Sequence, residues 1–377
     1  MIYFDNAATT WPKPPQVRET VARAIERYGA NPGRSGHSFS VETAQAVYEA
    51  RKNVASFFGA EAAECVAFTG NCTQSLNTAI NGLARRGCHI ITSCLEHNSV
   101  MRPLESLRLR GIADYSVAYV YDDDEMTVRS FERLIRRNTL FIVCTAASNV
   151  TGKLLPVEKL SRLAREYGLK LVVDAAQAAG VMDINVSADG IDYLCAPGHK
   201  GLYGPMGTGV LICSSNDAEP LVRGGTGSDS FSLLQPDYMP DKYESGTVNV
   251  PGILGLSSGV DFVRDKGLAK IRAHEADAVD YIRGELEKTP SVTLYGDYTN
   301  RGYAPLLSFN INGLYSEETA MKLDAMSIAV RGGFHCAASA HRYCKTEQTG
   351  SVRVCPSYFT SKKDVKSLLI SIQKIAL

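Results

Sequence analysis

The feature that most constrains the fold is a series of short, mostly apolar runs separated by helical patterns. The runs lie at 66–69, 89–93, 116–121, 140–145, 170–173, 193–196 and 209–213. Apolar residues recur at helical spacing near 73–84, 99–110, 127–137 and 156–167 between them. Two more amphipathic helices are expected ahead of the first run, at about 14–28 (Val17, Val21, Ala24, Ile25, Tyr28) and 41–58. A continuous apolar strand such as Leu171-Val172-Val173 must be buried on both faces. Strands of that kind alternating with helices predict an α/β fold, with a mostly parallel sheet covered on both sides.

Beyond about residue 251 the texture changes. Charged helical patterns appear at 252–265 and 268–288, with strand candidates at 292–295, 306–311 and 328–330 and helices near 317–325 and 361–375. This reads as a smaller α+β domain, and 377 residues suffice for two domains. Irregular backbone is expected at 224–227 and around Gly246, and an extended segment from Ala338 to Gly350.

Charge and hydropathy exclude several classes of protein. Forty basic residues balance forty acidic ones, so no strong field is built for nucleic acid or an anionic membrane. No apolar run reaches the roughly 18 residues of a membrane span. The opening Met1-Ile2-Tyr3-Phe4-Asp5 lacks the pattern of a secretory signal, so a cytoplasmic protein is expected. The ten cysteines are scattered without Cys-x-x-Cys spacing, which predicts reduced thiols and no metal site.

Chemistry-bearing residues cluster where the runs end. Lys200 in Gly198-His199-Lys200-Gly201 follows the run at 193–196, and a lysine held in a dry pocket there loses basicity and can form a Schiff base. Asp174 ends the run at 170–173, where ligands bind in open α/β sheets, and its carboxylate can keep a pyridine nitrogen protonated. Asn71-Cys72-Thr73 opens a helix after the run at 66–69, an arrangement suited to a phosphate. His97 follows the run at 89–93 and could stack on a flat ring or shuttle a proton. Asn149 follows the run at 140–145 and could donate to a ring substituent or a substrate. Each residue alone is equally consistent with a cap, a turn or a surface loop. Together they place a lysine, an acid, an anion site, a histidine and an amide at the C-terminal ends of successive strands, where one site can gather them around a flat, phosphate-bearing ring such as pyridoxal 5'-phosphate.

In this order the motifs resemble the class V aminotransferase fold family and, within it, the cysteine desulfurases and selenocysteine lyases. The resemblance runs from Tyr3-Phe4-Asp5-Asn6-Ala7-Ala8-Thr9-Thr10 to Ser351-Val352-Arg353. Between these lie Asn31-Pro32-Gly33-Arg34-Ser35-Gly36-His37, Glu96-His97-Asn98, Ser148-Asn149-Val150-Thr151-Gly152, Asp174-Ala175-Ala176-Gln177, Tyr243-Glu244-Ser245-Gly246-Thr247 and Arg331-Gly332-Gly333-Phe334-His335-Cys336-Ala337. The resemblance implies the fold type I of pyridoxal-phosphate-dependent transferases. A large domain at 14–250 would carry the seven-stranded sheet, and a small domain would be built from 1–13 and 251–377.

The resemblance also implies roles. Lys200 would hold the cofactor, Asp174 its pyridine nitrogen and Gln177 its ring oxygen, with His97 stacked on the ring. Cys72, Thr73 and His199 would hold the phosphate, together with Thr247 from a neighbouring subunit, which implies a homodimer. Asn149 would touch cofactor and substrate, Arg353 would fork onto the substrate carboxylate, and Arg34 and His37 would complete the substrate site. The Arg331–Ala337 motif resembles the short-loop, second group of desulfurases. Cys336 would then be the sulfur acceptor, its thiolate favoured by Arg331 and His335. L-cysteine would yield L-alanine and a Cys336 persulfide, passed to an unidentified acceptor protein.

The chain departs from that pattern at Ala338-Ser339, where many members have a proline, at Gly201, and at Val354-Cys355-Pro356, where a Ser-rich run is common. Cys344 is either a relay thiol or an ordinary loop cysteine. Three other readings stay open. One is a selenocysteine lyase acting on L-selenocysteine, and another is a different pyridoxal-phosphate lyase or aminotransferase. The third is a non-catalytic, cofactor-binding sulfur relay.

Overall fold

The computed structural model describes residues 1–33, 36–296 and 302–377. Its strands are β1 (Ile2–Tyr3), β2 (Val66–Thr69), β3 (Cys88–Ser93), β4 (Ala113–Ala118), β5 (Thr139–Thr145), β6 (Lys170–Asp174), β7 (Tyr193–Pro197), β8 (Gly209–Cys213), β9 (Val292–Tyr295), β10 (Leu307–Ile311), β11 (Ile328–Ala329) and β12 (Val352–Val354). The helices are α1 (Pro15–Arg27), α2 (Ser38–Phe57), α3 (Cys72–Leu83), α4 (Asn98–Leu109), α5 (Asp124–Glu132), α6 (Val157–Glu166), α7 (Val186–Asp189), α8 (Val250–Lys266), α9 (Leu268–Leu286), α10 (Ser316–Asp324), α11 (Ala338–Cys344) and α12 (Lys362–Ala376).

The main sheet has seven strands in the order β2-β8-β7-β6-β5-β3-β4. Strands β3 to β7 pair in parallel, and β8 runs antiparallel to both β2 and β7. Successive side chains of one strand point to opposite faces. Ile91, Ile142, Val173 and Leu194 therefore enter one apolar layer, while their chain neighbours Ile90, Val143, Val172 and Cys195 enter the other. Burying each aliphatic side chain contributes about 1.5–3 kcal/mol, which fixes the register of the whole sheet. Because β8 reverses twice, the C-terminal ends of β2, β3, β5, β6 and β7 share one edge. That edge is where the chemistry-bearing residues lie.

A smaller antiparallel sheet, β12-β10-β9, packs against α9 and α12 around Phe4, Ile282, Phe309 and Leu368. The chain's beginning belongs with its end: β1 pairs in parallel with β11, and Asp5 bridges to Cys355. Helix α8 packs on α1 and α2 before α9 carries the chain to the smaller sheet. Among the described residues no helix is long and apolar enough to cross a membrane.

Five elements differ from the sequence expectation; two of them, β1 and α7, are two and four residues long, too short to carry a periodic signal. Strand β4 begins at Ala113, ahead of the apolar run at 116–121, because it is the sheet's edge and only its two ends are buried. Strand β12 has three residues, too short for a periodic signal, and it ends before Pro356, which could not continue a ladder. The segment after Ala337 is helical, not extended: α11 places Ala340 and His341 in the interior and closes at Lys345 with φ +57°.

Candidate active site

A cavity of about 240 Å³ opens at the C-terminal edge of the main sheet. Asp174 enters from the end of β6, Lys200 and His199 from the turn after β7, and Asn149 from the turn after β5. His97 follows β3, and Cys72 and Thr73 begin α3. Gln177 lies behind Asp174, and Arg353 reaches in from β12. With Arg331 and His335, which also line it, eleven of the residues singled out in the sequence share one pocket.

The backbone of the lysine turn is held from the chain's beginning. Thr10 Oγ1 donates to the Lys200 carbonyl at 2.7 Å, and Lys13 Nζ and Thr9 Oγ1 donate to the His199 carbonyl at 2.6 and 3.2 Å. Burial lowers the pKa of Lys200, and the Arg353 guanidinium lowers it further. Lys200 is therefore a group that can be neutral and nucleophilic. Burial pushes the Asp174 carboxyl up, against the pull of the Ala176 amide and the Lys200 charge. The Cys72 thiol donates to Asp174 Oδ1 at 3.6 Å, so only the Cys72 backbone amide is left for an anion at the α3 N-terminus.

Both histidines are neutral. Burial, reinforced by Lys200, depresses His97 to about 4. Its Nδ1 accepts from the Ser99 amide at 3.0 Å, which places the ring proton on Nε2. Burial likewise holds His199 at about 4, and its buried Nδ1 has no partner among the described residues. Glu96, also buried, accepts from the Thr145 amide at 2.9 Å and from the Ser93 hydroxyl, tying β3 to β5. Desolvation raises its carboxyl to about 8.

Arg353 is only 2% exposed. Nη1 donates to the Asn149 carbonyl at 2.8 Å and Nη2 pairs with Asp5 at 3.2 Å, while Nε is buried without a partner. A buried guanidinium with an open donor suits a carboxylate ligand. Asn149 Nδ2 donates to the His335 carbonyl at 2.7 Å and leaves Oδ1 buried and unpaired. Gln177 Nε2 donates to the Ala7 carbonyl at 3.0 Å.

Cys336 lies in the adjoining groove of about 430 Å³, which it shares with His97, Thr73, Ser99 and Arg102. Its side chain is exposed, and Arg331 Nη2 approaches Sγ at 3.8 Å. His335 does not help to stabilise a thiolate, contrary to the sequence expectation. Its Nε2 donates to the Ser351 carbonyl at 2.9 Å, and burial drives it down to about 2, so it carries no charge. Cys344 closes α11 against the core, and burial, with Cys94 nearby, pushes its thiol up to about 12. That is the setting of a packed cysteine, not of a relay thiol.

Two of the expected residues lie elsewhere. Thr247 accepts from Asn31 Nδ2 at 3.2 Å on the rim of a separate cleft of about 460 Å³. His37 caps α2, its Nδ1 accepting from the Ser40 amide at 3.1 Å. Arg34 lies outside the described residues. The sequence reading missed Asp5 as the partner of Arg353 and Ser99 as the partner of His97. Asp5 stands inside the opening motif Tyr3–Thr10 but 348 residues from Arg353, and Ser99 lies two residues past His97, just beyond the Glu96-His97-Asn98 motif.

A flat, anionic pyridine cofactor fits this pocket. A buried acid stands at one wall, a lysine of lowered basicity at another, and helix-start amides with an unpaired His199 Nδ1 at a third. Among the described residues, no group of three or more His, Cys, Asp or Glu side chains is placed to hold a metal ion.

The comparisons with known proteins agree with this geometry. Residues 2–368 match the family model described as aminotransferase class V. A protein named probable cysteine desulfurase from Methanothermobacter thermautotrophicus is 32% identical, across 100% of this chain and 94% of the relative. One of the same name from Pyrococcus abyssi is 33% identical, with the same shares covered. The apo structure of cysteine desulfurase from Thermococcus onnurineus NA1 superposes with a TM-score of 0.91 at 32% identity, covering 100% of this chain and 94% of that one. The Escherichia coli cysteine desulfurase CsdA in its S-sulfonic acid form gives 0.88 at 25% identity, covering 99% and 94%.

Proposed function

The chain belongs to the class V aminotransferase family, and from that premise we propose that it is a pyridoxal-phosphate-dependent cysteine desulfurase working through Cys336. Its fold is fold type I of the pyridoxal-phosphate enzymes, with the mostly parallel seven-stranded sheet at its centre. The observation that carries the desulfurase reading is the exposed Cys336, with Arg331 at its sulfur, on a groove that shares His97 with the Lys200 pocket. An aminotransferase has no need of a thiol there.

Lys200 would hold the cofactor, Asp174 would face its ring nitrogen, and Gln177 and Asn149 would serve its ring oxygen. Cys72 and Thr73 amides with His199 would take its phosphate, and His97 would lie against the ring. When bound, the cofactor supplies a sink for the electron pair left by breaking the substrate's Cα–H bond. Arg353 receives the substrate carboxylate through its open Nε–H. Lys200 Nζ, deprotonated by its dry setting, takes the Cα proton. His97, with its proton on Nε2, is placed to donate to the departing product. Cys336 Sγ attacks the substrate sulfur. The substrate Cβ–S bond breaks, an S–S bond forms on Cys336, and alanine leaves. Arg331 supports the Cys336 thiolate before that exchange and the anionic persulfide after it, while the electron pair of the broken Cβ–S bond stays with Cβ, which is protonated as alanine forms.

Residues 14–250 form the large domain, and 1–13 with 251–377 the small one, with α8 at the junction. The protein works as a cytoplasmic homodimer and hands its sulfur to an acceptor protein. Its ten cysteines are free thiols, as a reducing compartment keeps them. Exposed Phe231, Leu233 and Leu234 offer an apolar face close in sequence to Thr247, and a second subunit gives Thr247, His37 and Arg34 a site to reach.

The test is release of alanine and persulfide sulfur from L-cysteine by the purified, cofactor-loaded protein beside Cys336→Ala. Equal amounts of alanine and sulfane sulfur from the wild type, and neither from the variant, are expected. A wild type inert to L-cysteine would refute the reading. Turnover of L-selenocysteine by both forms would move the assignment to a selenocysteine lyase.

A further inference from the structure

The backbone around Cys336 is held in a conformation that L-residues avoid. Gly333, His335 and Cys336 have φ of +103°, +48° and +55°. Two consecutive non-glycine residues in the left-handed region persist only where their surroundings over-determine them. The surroundings here are specific. The Cys336 carbonyl accepts from the Asn98 amide at 2.7 Å, and the His335 carbonyl accepts from Asn149 Nδ2 at 2.7 Å. His335 itself is anchored through Nε2 to Ser351, whose amide returns a bond to the Gly333 carbonyl at 3.0 Å.

Two groups from the edge of the main sheet thus grip the turn on either side of the thiol. The Asn98 contact uses a backbone amide. The Asn149 contact uses a side chain, and that side chain is also part of the cofactor pocket. The Asn149 carbonyl accepts from Arg353, and its Oδ1 is buried without a partner. One residue therefore touches the carboxylate-reading arginine with its backbone and the thiol turn with its amide nitrogen. It presents an open acceptor to whatever enters.

We propose that Asn149 is the positioning residue for Cys336: by holding the His335 carbonyl it keeps the strained turn in the form that sets Sγ against Arg331. The open Oδ1 extends this role, since a donor such as a substrate amine would complete the Asn149 amide while its nitrogen still holds the turn. Filling of the pocket and placement of the thiol are then coupled through one side chain. The inference rests on Cys336 being the sulfur acceptor. It goes further in assigning Asn149 a task toward the thiol in addition to the cofactor.

The ionisable groups around Sγ are Arg331 on its own segment, His97 and Arg102 from α4 across the groove, and Glu317 of α10 beside Gly333. Of these, Arg331 is the one in contact, so the preference of Cys336 for an anionic over a neutral reagent reports whether the turn is in place. The experiment is alkylation of Cys336 at one pH by iodoacetate and by iodoacetamide, followed by mass spectrometry of the Cys336 peptide, with and without bound cofactor. Wild type is compared with Asn149→Ala and with Asn149→Leu, which keeps the volume and removes the hydrogen bonds.

In both variants the preference of Cys336 for the anionic reagent is expected to fall about threefold, as loss of one exposed charge contact implies. If Asn149→Ala fails to fold, the Leu variant decides. An unchanged preference in a folded variant overturns the proposal. Alkylation needs no turnover. A protein inert to L-cysteine would therefore sink the desulfurase reading and leave this comparison standing.

Discussion

Lys200 and Cys336 stand on backbones of opposite kinds. Lys200 follows a fully buried strand, and its turn is held by three hydrogen bonds from Thr9, Thr10 and Lys13. Cys336 lies on a turn with positive φ at three of four residues, with an exposed side chain and an exposed neighbour, Phe334. The interior half can change the basicity of its groups because it excludes water. The turn half keeps a thiol within reach of an acceptor and relies on one surface guanidinium for charge. Chemistry at the cofactor needs dryness and transfer of sulfur needs access, and the fold puts the two in adjoining cavities that share Thr73, His97 and Ser99.

The largest expected effect tests whether the halves are separable. Lys200→Ala should lose the covalently bound cofactor's absorbance and reduce alanine formation by at least about 10²–10⁴-fold, the usual worth of a positioned proton-transfer group. The rate of Cys336 alkylation should not change. If it moves with the lysine, the two halves are one unit and the comparison is wrong.

Arg353→Lys comes next. Its buried fork is held by Asn149 and Asp5 with Nε open, and an ammonium cannot reproduce that geometry. The KM for L-cysteine should rise roughly 10–100-fold, the loss of about 1.5–3 kcal/mol of charged hydrogen bonding. Steady-state kinetics over a wide substrate range measures it. An unchanged KM would show that the carboxylate is read elsewhere.

Glu275 sharpens the contrast through pH. It lines a small cavity behind Lys200 and is 5% exposed, with Tyr203 Oη donating to it at 3.1 Å. Desolvation lifts its carboxyl from the ordinary 4.5 to about 8. Between those values the folded protein binds a proton that the unfolded chain has released. The resulting stability is complete below the unfolded value and is lost as pH rises through the folded one. Glu275→Gln should flatten the fall in stability over that window, by at most about 1.4 kcal/mol per pH unit. Denaturant midpoints at several pH values compare the two proteins. Parallel curves would mean that Glu275 is ionised in the native state.

How much of this was legible in the sequence follows the same division. Strands β2, β8 and β9 begin and end where the pattern places them, since buried runs bounded by turns are unambiguous. The pocket residues could be found because an α/β sheet gathers its strand ends, so Lys200, Asp174, His97 and Asn149 were predictable from position. The turn half was not. The Asn149–His335 bond joins residues 186 apart and the Arg353–Asp5 pair residues 348 apart, and no local periodicity encodes either. His335 reads as a charge beside a thiol in sequence, whereas burial makes it a neutral strut. Thr247, expected at a neighbouring subunit's phosphate, and His37, expected in the substrate site, both lie outside this chain's pocket.

The smallest expected effect falls on the turn itself. Gly333 adopts φ +103°, and a Cβ there would stand 3.1 Å from Glu317 Oε1, the end of a side chain able to shift. Gly333→Ala should therefore be tolerated by the fold at a loss of roughly 1–3 kcal/mol, the usual worth of one residue forced into that region. Its effect on function should be uneven. The Gly333 carbonyl accepts from Ser351, the residue that also anchors His335, so displacement there reaches Cys336 without touching β6 or β7. Cofactor absorbance and its response to L-cysteine should match wild type, while persulfide formation slows. Equal losses in both would show that the strained turn and the buried pocket share their stability, and that the separation drawn between them does not extend to energetics.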